Sequence, residues 1–186
     1  MTLPTPAITA RPIALFEAAR QRPGAPDPLP ERLFLIDVER QTATLIENGE
    51  AVAAWPVSTA RNGIGGENNS FKTPPGWHRI HAKIGTGAGA GTVLSSREPT
   101  GETWQGEPCE TDLILTRILT LDGLEEGINR GPGCDSRERY IYIHGSNHEA
   151  LIGRPMSCGC VRMSNAYVTA LFDQAREGDF VLIAPS

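Results

Sequence analysis

The sequence predicts a mainly β domain, a sandwich or barrel with one helix on its C-terminal side, and three observations lead there. Short apolar runs recur from Leu33 onward, and the dipeptide Asn48-Gly49 joins two of them. Only one later stretch has convincing helical periodicity. At 186 residues the chain is long enough for one domain and a short arm, and a chain of that size buries roughly 70% of its unfolded surface.

Residues 1–31 read as the arm. Ile13, Leu15, Phe16 and Ala19 allow one or two helical turns, and the prolines of RPGAPDPLPE then exclude regular helix. The domain proper is expected over 32–186. LFLIDV and TATLIE read as strands, followed by EAVAAWPVS across Asn48-Gly49, where both turn positions tolerate positive φ. WHRIHAKI follows the turn Thr73-Pro74-Pro75-Gly76, and LILTRILTL and YIYIHG add two more strands. SNAYVTALFDQAREG places Val168, Leu171, Phe172 and Ala175 on one helical face, with Ser164 or Asn165 as the N-cap and Gly178 as the stop. FVLIA is the last strand. The elements do not alternate as a βαβ fold requires, and no repeat of 20 to 50 residues is evident.

A hydrophobic share of 39% and a charged share of 21% are ordinary for a folded protein, which excludes disorder and fibrous repeats. The net charge is −5, and the 17 Lys and Arg are scattered, which argues against nucleic acid as a partner. No segment is apolar enough to span a membrane. Arg11, Pro12 and Glu17 interrupt every candidate leader core, so a cytoplasmic location is expected, with the periplasm as the alternative if a leader precedes the chain. In that compartment the four cysteines are expected as free thiols, and Cys109 and Cys134 could pair only if their loops meet. GTGAGAG invites a phosphate-loop reading, but no helix follows it, so it is taken as a surface loop.

The stretch Tyr140–Asn165, YIYIHGSNHEALIGRPMSCGCVRMSN, holds two of the four histidines and two of the four cysteines. A zinc site is one reading, yet C-x-C leaves a single residue between the cysteines, whereas structural zinc sites favour two to four. His78 and His81 are three apart and fall on opposite faces of a strand. No metal and no cofactor are expected. The alternative is a nucleophile: a thiol with a free pKa near 8.5 needs a base or a positive setting, and His144, ending an apolar run before Gly145, could serve Cys160. A buried structural cysteine beside a satisfied histidine fits the spacing equally well.

HGSNHEALIGRPMSCGCVRMSN resembles the signature of the L,D-transpeptidase catalytic domain, in which His-Gly is followed by Ser/Thr-His-Gly-Cys-x-Arg/Asn. FLIDVERQTATLIENGEAVAAWPVSTA and KTPPGWHRI resemble the opening of that domain, so the likeness runs from about Leu33 to Ala184. It implies a β-sandwich-like catalytic domain acting on peptidoglycan stem peptides. Carried over, Cys160 matches the nucleophile, His144 the base, and Gly145 the residue whose carbonyl orients the histidine. The backbone of Gly159 and Cys160 matches the oxyanion turn, and Arg162 matches the motif arginine, implied to bind a substrate carboxylate; Ser157 and Tyr142 are the other expected substrate contacts. The motif histidine two residues before the nucleophile is replaced by Cys158, expected as a small packing residue, which leaves His144 as the one candidate base.

The resemblance further implies attack on the L-to-D bond of a tetrapeptide, usually diaminopimelate–D-Ala, with D-Ala leaving an acyl-enzyme. Water as acceptor gives an L,D-carboxypeptidase of murein recycling, the outcome that suits a cytoplasmic chain. An amine as acceptor gives a 3→3 cross-linking L,D-transpeptidase, and a catalytically idle peptidoglycan-binding domain is a remote third possibility. Carbapenem-type β-lactams are the implied inhibitors.

Overall fold

Leu33, Phe34, Leu35 and Ile36 form an unbroken apolar run, and the fold gives the reason: their strand lies inside a sheet covered on both faces. The computed structural model describes residues 9–185; the first eight residues of the expected arm and the last residue of the expected domain lie outside the described residues. Ten strands form one open mixed sheet. They are β1 (Arg32–Asp37), β2 (Thr42–Glu47), β3 (Glu50–Pro56), β4 (Gly76–Ile84), β5 (Thr92–Ser95), β6 (Glu98–Thr103), β7 (Ile114–Gly123), β8 (Tyr142–Ser146), β9 (Val161–Met163) and β10 (Phe180–Ala184). The main path runs β3-β2-β1-β10-β4-β7-β5-β6, and β8 pairs with β7 while carrying β9 on its far edge.

β1 runs parallel to β10 at the centre, with Leu35 opposite Leu182. Alternation sends Phe34, Ile36, Val181 and Ile183 to one face and Leu33, Leu35, Leu182 and Ala184 to the other. The first face is covered by α2 (Asn165–Gln174) through Val168, Leu171 and Phe172, together with Ile143, Val161 and Met163 of β8 and β9. The second is covered by α1 (Arg11–Ala18), whose Phe16 meets Trp77 edge-on at 6.3 Å. The arm is fastened again at Arg22, whose Nε and Nη2 donate to the fully buried carboxylate of Glu125 at 3.0 and 2.8 Å. Among the described residues no helix is long and apolar enough to cross a membrane.

Most of the expected strands are found within two residues of their expected ends. Asn48 and Gly49 adopt φ of 50° and 80°, as a two-residue hairpin turn requires. Three features differ from expectation, one of them the short strand β9, whose three residues display no period. α2 ends at Gln174 instead of near Gly178, because Lys83 on β4 caps its last turn: Nζ donates to the carbonyls of Phe172 and Ala175 at 2.7 and 2.6 Å. The β5–β6 hairpin was not anticipated. All six residues of β6 are exposed, so no apolar alternation marks it in the sequence.

His78 on β4 is fully buried, its Nδ1–H donating to the Gly76 carbonyl at 2.9 Å and its Nε2 accepting from the Ser136 hydroxyl at 3.0 Å. Burial, with a smaller push from Arg22, outweighs the Gly76 bond and lowers its pKa to about 4. The native ring therefore refuses a proton that the unfolded chain binds below about 6.5, so this histidine leaves stability unchanged at neutral pH and reduces it as pH falls from 6.5 towards 4. The expected loss between pH 7 and 5 is on the order of 2 kcal/mol, read from urea midpoints. His78→Gln should flatten that slope, leaving the contribution of His144, which has the same sign; an unchanged slope in His78→Gln would contradict the assignment.

Candidate active site

β8 and β9 pair in parallel, with Ile143 opposite Val161, His144 opposite Arg162 and Gly145 opposite Met163. Ile143, Val161 and Met163 point into the core, so the alternate residues Tyr142, His144, Cys160 and Arg162 share the opposite face. One three-residue ladder thus brings the expected base and the expected nucleophile together. Cys160 itself sits one residue before β9 and packs against the small cluster of Leu94, Ile118 and Tyr142.

His144 is almost completely buried, and its Nδ1 lies 2.8 Å from the Gly145 carbonyl. A carbonyl only accepts, so Nδ1 carries the proton and Nε2 keeps its lone pair. Inside β8 the position after His144 needs glycine: a Cβ on Gly145 would lie 2.5 Å from the Leu115 carbonyl oxygen. Burial lowers the His144 pKa from its usual 6.5, against the Gly145 bond and the negative charge of Asp112, so the imidazole is neutral at pH 7.

The Cys160 thiol is partly exposed and makes two hydrogen bonds. Sγ–H donates to the Tyr140 carbonyl at 3.3 Å, and the Tyr142 N–H donates to Sγ at 3.4 Å. Tyr140 holds its carbonyl there from a left-handed backbone, φ 56°, rare for a bulky residue outside a functional setting. Burial pushes the thiol up to about 11, although the Tyr142 N–H and the charges of Arg162 and Arg139 pull the other way. The resting pair is a neutral thiol beside a neutral imidazole.

The turn before Cys160 is internally braced. Ser157 Oγ donates to the Cys160 carbonyl at 2.6 Å and accepts from Gly159 N–H at 3.2 Å, and Thr73 Oγ1 donates to the Gly159 carbonyl at 2.8 Å. Gly159 has φ 132°, a backbone that side chains rarely adopt. Ser157 is buried, and both bonds of its hydroxyl shape the turn. The Gly159 N–H is held by Ser157, which leaves the N–H groups of Cys158 and Cys160 as the donors this turn offers to an oxyanion.

Three further residues have the following surroundings. Arg162 is 5% exposed, with Nη2 on Asp112 and Nη1 on the Met156 carbonyl at 3.1 Å, so the carboxylate it holds belongs to the protein. Tyr142 is buried, and its hydroxyl accepts from Arg97 Nε at 2.8 Å. Cys158 is exposed instead of packed. It lines a cavity of about 340 Å³ with Asn68, Phe71, Arg139 and Tyr140. Tyr140 is also a wall of a second cavity, about 460 Å³, formed with Ser96, Arg97, Ile114 and Tyr142. Asp112 and Arg97 escaped the sequence reading because they belong to a loop and a hairpin tip without periodic pattern, and Tyr140, expected in a strand, lies in the turn before β8. All four cysteines are free, and among the described residues no group of three or more His, Cys, Asp or Glu could hold a metal ion.

Residues 31–183 match the family model of the L,D-transpeptidase catalytic domain, YkuD. The chain belongs to this family. Solved structures of similar fold include L,D-transpeptidase 3 from Mycobacterium tuberculosis in complex with a faropenem-derived adduct, at 13% identity and a TM-score of 0.53, covering 84% of this chain and 61% of that one. A Cys-to-Ser mutant of the Enterococcus faecium L,D-transpeptidase is similar at 16% identity and a TM-score of 0.51, covering 83% of this chain and 50% of that one. An L,D-transpeptidase in complex with imipenem is similar at 19% identity and a TM-score of 0.51, covering 83% and 59%. This chain therefore spans between half and about three-fifths of those proteins. No curated protein matches it. This L,D-transpeptidase-family enzyme carries the Cys160–His144 face within the matched region.

The neutral resting pair has a measurable consequence. Alkylation of Cys160 by iodoacetamide, followed by peptide mapping in a Cys109→Ser/Cys158→Ser background, should be slow at pH 7 and climb about tenfold per pH unit towards pH 10. A fast rate that is flat from about pH 6 upward would instead reveal a preformed thiolate–imidazolium pair.

Proposed function

We propose that this enzyme cleaves the L-to-D bond before the terminal D-Ala of a peptidoglycan tetrapeptide, through a thioester on Cys160. The observation that carries this reading is the shared face of β8 and β9, where a thiol and an imidazole of fixed tautomer lie beside the braced turn of Ser157 to Cys160. The bond between the third residue and D-Ala supplies the carbonyl. As Sγ attacks, the thiol proton leaves the Tyr140 carbonyl and passes to Nε2 of His144, and the oxyanion meets the N–H groups of Cys158 and Cys160. Because burial holds the thiol pKa far above that of the imidazole, proton transfer accompanies attack and does not precede it. Collapse breaks the C–N bond, and His144 returns the proton to the departing D-Ala amine.

Water is the acceptor in the reading favoured here, which makes the enzyme a cytoplasmic L,D-carboxypeptidase that trims soluble tetrapeptide to tripeptide during murein recycling. This reading asks for nothing beyond His144, since the base that activated the thiol also activates water. One feature supports transpeptidation as a second reading: the two cavities share Tyr140 as a wall, which offers room for a donor and an acceptor stem. Carbapenem-type β-lactams, whose strained amide carbonyl imitates the scissile one, would acylate the same sulfur.

Cys160→Ala should fold normally and lose several orders of magnitude in turnover of tetrapeptide. Cys158→Ser should retain at least about a tenth of the wild-type rate, because its side chain is exposed and its N–H is unchanged by the substitution. Mass spectrometry of tetrapeptide incubated with excess D-amino acid or a second stem separates the acceptors. Tripeptide as the main product supports the carboxypeptidase; exchange or dimer products, or fractionation of the native protein to the periplasm, would promote the transpeptidase.

A further inference from the structure

Arg97 stands at the tip of the β5–β6 hairpin and lines the cavity of about 460 Å³ with Ile114, Tyr140 and Tyr142. Ser96 and Arg97 both have left-handed backbones, φ 50° and 69°, in a two-residue turn whose geometry favours Asn, Asp or Gly. A hairpin selected for its turn alone would not place arginine there. The side chain is then clamped: Nε donates to the Tyr142 hydroxyl at 2.8 Å, and the guanidinium carbon lies 5.3 Å from the Tyr140 ring centre and 5.6 Å from that of Tyr142. The two rings meet edge to face at 6.5 Å, so the plane of the guanidinium is fixed on two sides.

This clamp leaves the charge unmatched. Arg162 holds Asp112 and Arg22 holds Glu125, whereas among the described residues no carboxylate pairs with Arg97 and its only hydrogen bond is through Nε. The terminal nitrogens form a two-pronged donor edge, the geometry that matches a carboxylate. The edge is close to the chemistry, because the same Tyr142 whose hydroxyl holds Arg97 donates its backbone N–H to Cys160 Sγ.

We propose that Arg97 is a specificity-determining residue that binds a free carboxylate of the stem peptide while Cys160 is acylated. The inference rests on the function proposed above and adds to it a requirement for negative charge next to the scissile bond. Two carboxylates of a tetrapeptide have this chemistry: the terminus of D-Ala and, where the third residue is diaminopimelate, the carboxylate of its side chain. A structural pin between hairpin and sheet is the competing role, and it predicts no dependence on substrate charge.

The test uses tetrapeptide, its C-terminal amide and its third-residue side-chain amide as substrates for the wild-type enzyme, Arg97→Lys and Arg97→Gln. Calorimetric binding of the same three peptides to Cys160→Ala, with and without Arg97→Gln, supplies a readout free of turnover. The wild type should prefer the acid by about tenfold or more in kcat/KM over one of the amides, and the amide that fails identifies the carboxylate. Arg97→Gln should erase that preference, raising KM for the acid by about tenfold with kcat changed by less than about threefold, and Arg97→Lys should keep part of it. An equal loss on acid and amides in Arg97→Gln, or a preference that survives it, overturns the proposal and leaves the acyl-transfer reading intact. Absence of both turnover and binding for all three peptides overturns the two together.

Discussion

The site depends on one constraint, the parallel pairing of β8 with β9 and its register. Side chains alternate along a strand, so a slip of β9 by one residue would send Cys160 and Arg162 into the core and bring Val161 and Met163 to the surface. The register is held by what lies on the buried side. Ile143, Val161 and Met163 are fully enclosed with Val168 and Leu171 of α2, and each would lose its burial in any other pairing. The same helix begins immediately after β9, with Ser164 as its N-cap accepting from Tyr167 N–H at 3.2 Å. Strand, cap and helix therefore form one continuous clamp behind Cys160.

Enclosure sets the chemistry as well as the geometry. Enclosing the imidazole and most of the thiol on one face of β8 and β9 disfavours both charged forms, so the pair rests neutral. Hydrogen bonding keeps the members in place meanwhile: the Gly145 carbonyl fixes the histidine tautomer, and the Tyr140 carbonyl and Tyr142 N–H hold the sulfur. Around this neutral pair lies a paired charge, Arg162 with Asp112, that acts on both members with opposite signs. It ties the loop before β7 to β9 and leaves their balance close to that set by burial.

The strands most legible in the sequence were those with two buried faces or a turn dipeptide. β1 and β10 announced themselves as apolar runs, and β2 and β3 through Asn48-Gly49. β6 was invisible because every residue in it is exposed, and β9 because three residues cannot display a period. The end of α2 was misplaced for a different reason: its cap is a lysine from β4, far away in sequence. At the site, the resemblance of one short segment to the family signature pointed to Cys160, His144, Gly145 and Gly159. The partners that decide how the other residues are used, Asp112 for Arg162 and Arg97 for Tyr142, lie 50 and 45 residues away, where sequence spacing carries no information.

The central claim is that Cys160 is the acylated sulfur, and peptide mapping after exposure to imipenem tests it most directly. The segment between Arg154 and Arg162 contains both Cys158 and Cys160, so fragmentation of that one peptide separates the exposed thiol from the one held by Tyr140 and Tyr142. A single adduct on Cys160, absent in Cys160→Ala, is the predicted result. An adduct on Cys158, Cys109 or Cys134, or one that persists in Cys160→Ala, would contradict the account.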